Sequence, residues 1–129
     1  LGGAPLDGQV QCIDFTAGCV TTLYRMRLVQ KTGFLYDCYA FQSGTNAVVR
    51  EYRQRFGAAL LAHPPRVIVV SDQDCGHPDS FGDIGRWPAL ERFVEDNYVL
   101  AKQVTPPEPV RWADRPAAPY SYRIYVRQR

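Results

Sequence analysis

A three-layer αβα, Rossmann-like sandwich with a mostly parallel sheet and an antiparallel C-terminal edge strand is the α/β fold class that this 129-residue sequence predicts. Three observations predict it. Segments with a two-residue apolar period alternate with segments of helical period, the pattern of right-handed strand–helix–strand crossovers. The run Arg66-Val67-Ile68-Val69-Val70 is continuously β-branched after its arginine, as a strand covered on both faces and placed at the sheet centre requires. At the C-terminus, Tyr120, Tyr122, Ile124 and Val126 alternate with Ser121, Arg123, Tyr125 and Arg127, a half-buried strand.

The first strand is read from Val10, Cys12, Ile13 and Phe15, ending near Asp14. Thr16 caps a helix of about Ala17 to Lys31, in which Val20, Leu23, Tyr24 and Leu28 recur at helical spacing. Gly33 stands where a left-handed residue commonly ends a helix. Phe34 to Phe41 (FLYDCYAF) is rich in aromatics and predicts a second strand. Ser43-Gly44-Thr45-Asn46 is a turn with a helix cap, and Val49, Tyr52, Phe56 and Leu60 then mark an amphipathic helix. His63-Pro64-Pro65 stops that helix, because proline cannot donate the next hydrogen bond. After the central strand comes a polar loop, SDQDCGHPDSFGDIGRW. Pro88 then suits the first turn of a third helix carrying Leu90, Phe93 and Val94. Tyr98, Leu100 and Val104 share a two-residue period and predict a strand over Tyr98 to Val104, followed by a proline-rich connection from Pro106 to Pro119. The predicted order is β-α-β-α-β-α-β-β.

Composition narrows the function classes. Apolar residues make up 46% and charged residues 22%, as in a folded globular domain with its own core. Fifteen basic residues against 13 acidic ones leave a net charge of +2, without the concentrated basic face that nucleic acid requires. No stretch reaches the roughly 20 apolar residues that span a bilayer, and LGGAPLDGQV lacks the basic start and apolar run of a signal peptide. The chain is read as a single domain, residues 1–129, excised from a longer protein. Cys12, Cys19, Cys38 and Cys75 permit two disulfides in three connectivities, or free thiols packed as small apolar groups. None forms a C-x-x-C pair.

Ligands of open parallel sheets gather outside the carboxyl ends of the strands. Those ends carry Asp14 and Thr16 after the first strand, then Ser71, Asp72 and Asp74 after the central one, with His77, Asp79 and Asp83 in the same loop. Such oxygens and an imidazole can hydrogen-bond sugar hydroxyls or hold a divalent cation. They serve equally as turn caps in a solvated loop, and no D-x-D-x-D or H-x-x-x-H spacing supports a metal. DFTAGC lacks the G-x-G-x-x-G spacing of a dinucleotide cradle, so no cofactor is expected. Cys75 near His77 and Ser71 near Asp72 lack a nucleophile elbow, which argues against an independent hydrolase. Arg50, Arg53 and Arg55 form a basic helix face that either solvates the helix or touches anionic lipid. Trp87 and Trp112 suit either a core or a membrane interface.

PPRVIVVSDQ, then WPALERFVEDNYVL, then YRIYVRQR resemble the C-terminal domain of bacterial polytopic glycosyltransferases. The family is the group using polyprenyl-phosphate sugars, similar to protein mannosyltransferases and aminoarabinose transferases. VQCIDFTAGCVTTLYRMRLVQKTGFLYDCYAF extends the similarity over nearly the whole chain. The resemblance implies a many-spanned parent that moves a sugar from a lipid-linked donor to an acceptor, with its catalytic acids in the membrane portion. No catalytic residue therefore carries over. It also implies a membrane-proximal, periplasmic placement, where disulfides persist. With that placement Cys12 and Cys19, close in sequence across the first strand–helix turn, become the favoured pair. Cys38 and Cys75 face strand ends that are possible neighbours. The expectation is a non-catalytic accessory domain that docks on its own transmembrane domain and orients acceptor or donor through Asp14, Thr16, Asp72, Asp74 and His77. The alternative is a free-standing, metal-assisted enzyme using the same acidic rim.

Overall fold

The computed structural model describes residues 5–13, 18–35, 38–41, 45–71, 84–105, 111–112, 115–116 and 121–129. Strand β1 (Val10–Ile13) leads to helix α1 (Cys19–Arg25), a 3-10 turn (Cys38–Phe41) and helix α2 (Ala47–Ala62). Strand β2 (Val67–Ser71) follows, then a second 3-10 turn (Ile84–Arg86), helix α3 (Pro88–Asn97) and strand β3 (Tyr98–Val104). The chain closes with the short strands β4 (Arg111–Trp112) and β5 (Arg115–Pro116), which pair with each other, and with β6 (Tyr122–Arg127).

The main sheet is mixed α/β architecture in the order β1-β2-β6-β3. Only β1 and β2 run parallel, with Val10 opposite Val67 and Ile13 opposite Val70. The β2–β6 and β6–β3 ladders are antiparallel. This corrects the expectation of a mostly parallel sheet: β3 follows its helix directly but pairs with the returning C-terminal strand. It also moves that strand from the edge to the interior. β6 is antiparallel as expected, yet it lies between β2 and β3, and β3 is the outer strand. β2 is central as its β-branched run demands, with Val67, Ile68 and Val70 buried.

Alternation along the strands divides the core in two. Ile13, Ile68 and Val70 face Phe56 and Leu60 of α2, Leu90 and Val94 of α3, and Ala40, Phe41 and Trp87. Val10, Cys12 and Val67 face Cys19 and Leu23 of α1. One face therefore carries a pair of helices. The other carries only the seven-residue α1.

Two segments depart from the sequence reading. FLYDCYAF does not supply a strand among the described residues: Cys38–Phe41 is a 3-10 turn, with Ala40 and Phe41 buried in the core. The sheet edge next to it is already occupied, because the Cys12 N–H donates to Gln30 Oε1 at 2.6 Å. Phe34 instead packs its ring on Tyr52 and Phe56, with centroids 5.4 Å away in both cases. Helix α1 stops at Arg25 rather than Lys31. Arg27 adopts a left-handed φ of 56°; its N–H donates to Tyr24 O at 3.0 Å, and Leu28 N–H to Leu23 O at 2.9 Å. These paired bonds are a Schellman termination, completed by apolar contact of Leu23 and Leu28 in one cluster.

Helices α2 and α3 begin as read. Asn46 Oδ1 accepts the Val48 N–H at 2.9 Å, and Pro88 occupies the first turn of α3, where its missing N–H costs nothing. At the start of β3, buried Tyr98 donates its hydroxyl to Pro65 O at 2.8 Å. Burial pushes the phenol up to about 12, against a smaller opposing pull from Arg127. A folded-state value above the unfolded one means the folded protein holds this proton more tightly. Its contribution is complete below the unfolded value near 10 and drains away as pH rises through about 12. Tyr98→Phe should cost about 1 kcal/mol near neutral pH and flatten the alkaline decline between those two values, measured by urea unfolding across pH.

Candidate functional site at the carboxyl ends of β1 and β2

The parallel register that sets Ile13 beside Val70 brings the carboxyl ends of β1 and β2 together. The described ends of the two strands, Ile13 and Ser71, are therefore close in the sheet. Asp14 and Thr16 follow the first in sequence, and Asp72, Asp74 and His77 the second. All five lie outside the described residues, as do Asp79, Asp83 and Cys75. What the structure does place is the threshold of this rim. Ser71, the last residue of β2, is buried, and its Oγ has no hydrogen-bond partner among the described residues. An unsatisfied buried hydroxyl is uncommon, and a bound water or ligand group is an ordinary way to satisfy one.

The Cys12–Cys19 disulfide stands beside this threshold, with Cα atoms 5.9 Å apart. Cys12 is fully buried in β1, and Cys19 is the first residue of α1. The helix needs the tether. It has no side-chain cap, and Gly18 before it takes φ 104°, a conformation that a side chain would strain. The link thus ties the first residue of α1 to β1.

Two grooves were not legible in the sequence, because each is assembled from distant segments. One, of about 360 Å³, lies on the α1 face of the sheet between Leu23, Val69, Tyr122 and Ile124. Ser71 is paired with Tyr122, two residues beyond Val69, so it shares that face. The other, of about 390 Å³, runs between α2 and α3 over Leu60, Trp87 and Phe93, with Arg53 at its margin.

The basic helix face is employed internally. Arg50 Nη1 donates to Thr45 O at 2.6 Å, and Arg55 lies 3.9 Å from Glu51. Arg53 Nε donates to Ala40 O at 2.6 Å and Nη2 to Arg86 O at 3.2 Å. Its guanidinium also sits 5.5 Å from the centre of the Trp87 ring. Desolvation lowers the Arg53 pKa from its ordinary value. Trp87 itself is a core residue, between Phe41 and Phe56; the Trp112 side chain lies outside the described set. Among the described residues no group of three His, Cys, Asp or Glu side chains could hold a metal ion, and no helix is long and apolar enough to cross a membrane. No family model, curated protein or solved structure matches the chain.

Two substitutions test this threshold. Replacing Cys12 and Cys19 together with alanine should cost about 2–3 kcal/mol, the loop-closure value for so short a link, read from urea midpoints under non-reducing conditions. Ser71→Ala should leave stability unchanged or raise it, since it removes an orphaned hydroxyl; a loss above about 1 kcal/mol would show that a partner satisfies the group.

Proposed function

We propose that this chain is a non-catalytic accessory domain of a membrane glycosyltransferase that uses a lipid-linked sugar. In this reading it sits on the extracytoplasmic side of the membrane, against its own transmembrane domain. It helps orient acceptor or donor through Asp14, Thr16, Asp72, Asp74 and His77. The observation that carries the proposal is the Cys12–Cys19 disulfide beside the paired strand ends. A buried structural disulfide belongs to an oxidising compartment, which agrees with the periplasmic placement that the family resemblance implies. The buried Ser71 hydroxyl, without a partner among the described residues, supports a polar contact at the same rim. The Rossmann-like three-layer arrangement is part of this reading, with α1 as the reduced second layer.

The test uses the full-length parent in membranes. Alanine at all five rim residues should slow sugar transfer at least about tenfold, the scale of losing one charge-assisted hydrogen bond, while leaving membrane assembly intact. Unchanged transfer removes the site. The isolated chain should be silent in calorimetric titration with divalent cations and nucleotide sugars; stoichiometric tight binding there would favour the free-standing, metal-assisted enzyme instead.

A further inference from the structure

The turn that ends α1 carries a mixed surface. Tyr24, Met26 and Val29 are 81%, 55% and 62% exposed, and the exposed cations Arg25, Arg27 and Lys31 are interleaved with them. Single exposed apolar residues are ordinary on any protein. Three of them among three cations in one turn form a different pattern. Aromatic and aliphatic side chains of this kind enter the headgroup boundary of a bilayer, while arginine and lysine meet lipid phosphates.

The backbone and the charge balance point the same way. Arg27 holds the left-handed position of the Schellman turn, where glycine is the usual residue and a side chain carries strain. The Arg27 side chain is exposed at that position. Among the described residues Arg25, Arg27 and Lys31 have no acidic partner: the ion pair found there joins Arg55 and Glu51. The nearby carboxylate of Asp7 is engaged with the Val29 N–H at 3.0 Å. The Lys31 stem passes against Gly8, fixing the base of the side chain. Arg66 and Arg127 lie at the same end of the sheet, joined where Arg127 N–H donates to Arg66 O at 2.9 Å. Among the described residues, Glu95 and Asp96 at the end of α3 are acids at that end of the sheet beyond Asp7.

We propose that the 24–31 turn rests on an anionic phospholipid surface, with Tyr24, Met26 and Val29 at the headgroup boundary and Arg25, Arg27 and Lys31 on the phosphates. This surface lies at the amino ends of the parallel strands, opposite the rim discussed above. It stands whether or not the glycosyltransferase reading does.

Vesicle flotation of the chain tests it, comparing equal parts phosphatidylglycerol and phosphatidylcholine with phosphatidylcholine alone. Three cations should raise partition into the anionic vesicles about a hundredfold, and added salt should reverse the gain. The triple variant R25E/R27E/K31E should lose it, with circular dichroism unchanged. Arg27→Gly keeps the left-handed turn without strain, so it should fold normally and bind roughly fivefold more weakly. It decides the matter if the triple variant fails to fold. Equal partition of the wild-type chain into both vesicles, or undiminished binding by Arg27→Gly, overturns the proposal.

Discussion

Val67, Ile68 and Val70 sit in a strand with neighbours on both sides and side chains covered on both faces. Burying a valine or isoleucine side chain contributes roughly 1.5–3 kcal/mol, and here that contribution requires five separate elements at once. β1 supplies one ladder and β6 the other, while α1 closes one face and α2 with α3 the other. Every other feature is subordinate to this demand. The C-terminal segment is drawn inward to β2 because no other described strand takes that side, and β3 then pairs with the outer margin of β6.

A polar network does for β1 what another strand would have done. Gln11 is buried, accepts the Thr32 hydroxyl at 2.6 Å, and donates to Cys12 O and Phe34 O at 3.0 and 3.2 Å. Gln30 accepts the Cys12 N–H on the exposed ladder side. Two amide side chains thereby satisfy donors and acceptors that burial would otherwise leave unpaired. The same bonds hold the chain after α1 against the sheet, which positions the cationic turn just before it.

Local signals in the sequence were reliable where one chemical rule decided the outcome. The β-branched run placed β2, Pro88 placed the start of α3, and Asn46 capped α2. The Cys12–Cys19 link, which the family resemblance implied, is present. Non-local choices were not legible. Nothing in YSYRIYVRQR says that its strand inserts beside β2 instead of lying outside it, because half-burial leaves both options open. FLYDCYAF carries strand-like composition, yet Gln30 fills the edge it would need. Helix α1 ended at Arg25, six residues before Lys31, with Arg27 in the left-handed turn that follows, since no residue type announces an arginine in the left-handed region. Of the candidate site, only Ser71 at its threshold and the adjacency of its two strands have structural positions; the five polar residues read from sequence fall beyond the described set.

The two margins of the sheet share a further property. β1 has a glutamine amide seated on its outer ladder, and β3 carries an irregularity between Leu100 and Lys102, where Ala101 is skipped. A bulge twists a strand out of line, and a lysine beside it penalises stacking of like chains. The β3 margin leaves Val99 and Leu100 half exposed, so the bulge and the lysine are what interrupt its seven-residue edge. Each margin of a centre as β-branched and apolar as this one thus carries a feature that disfavours the addition of a further strand.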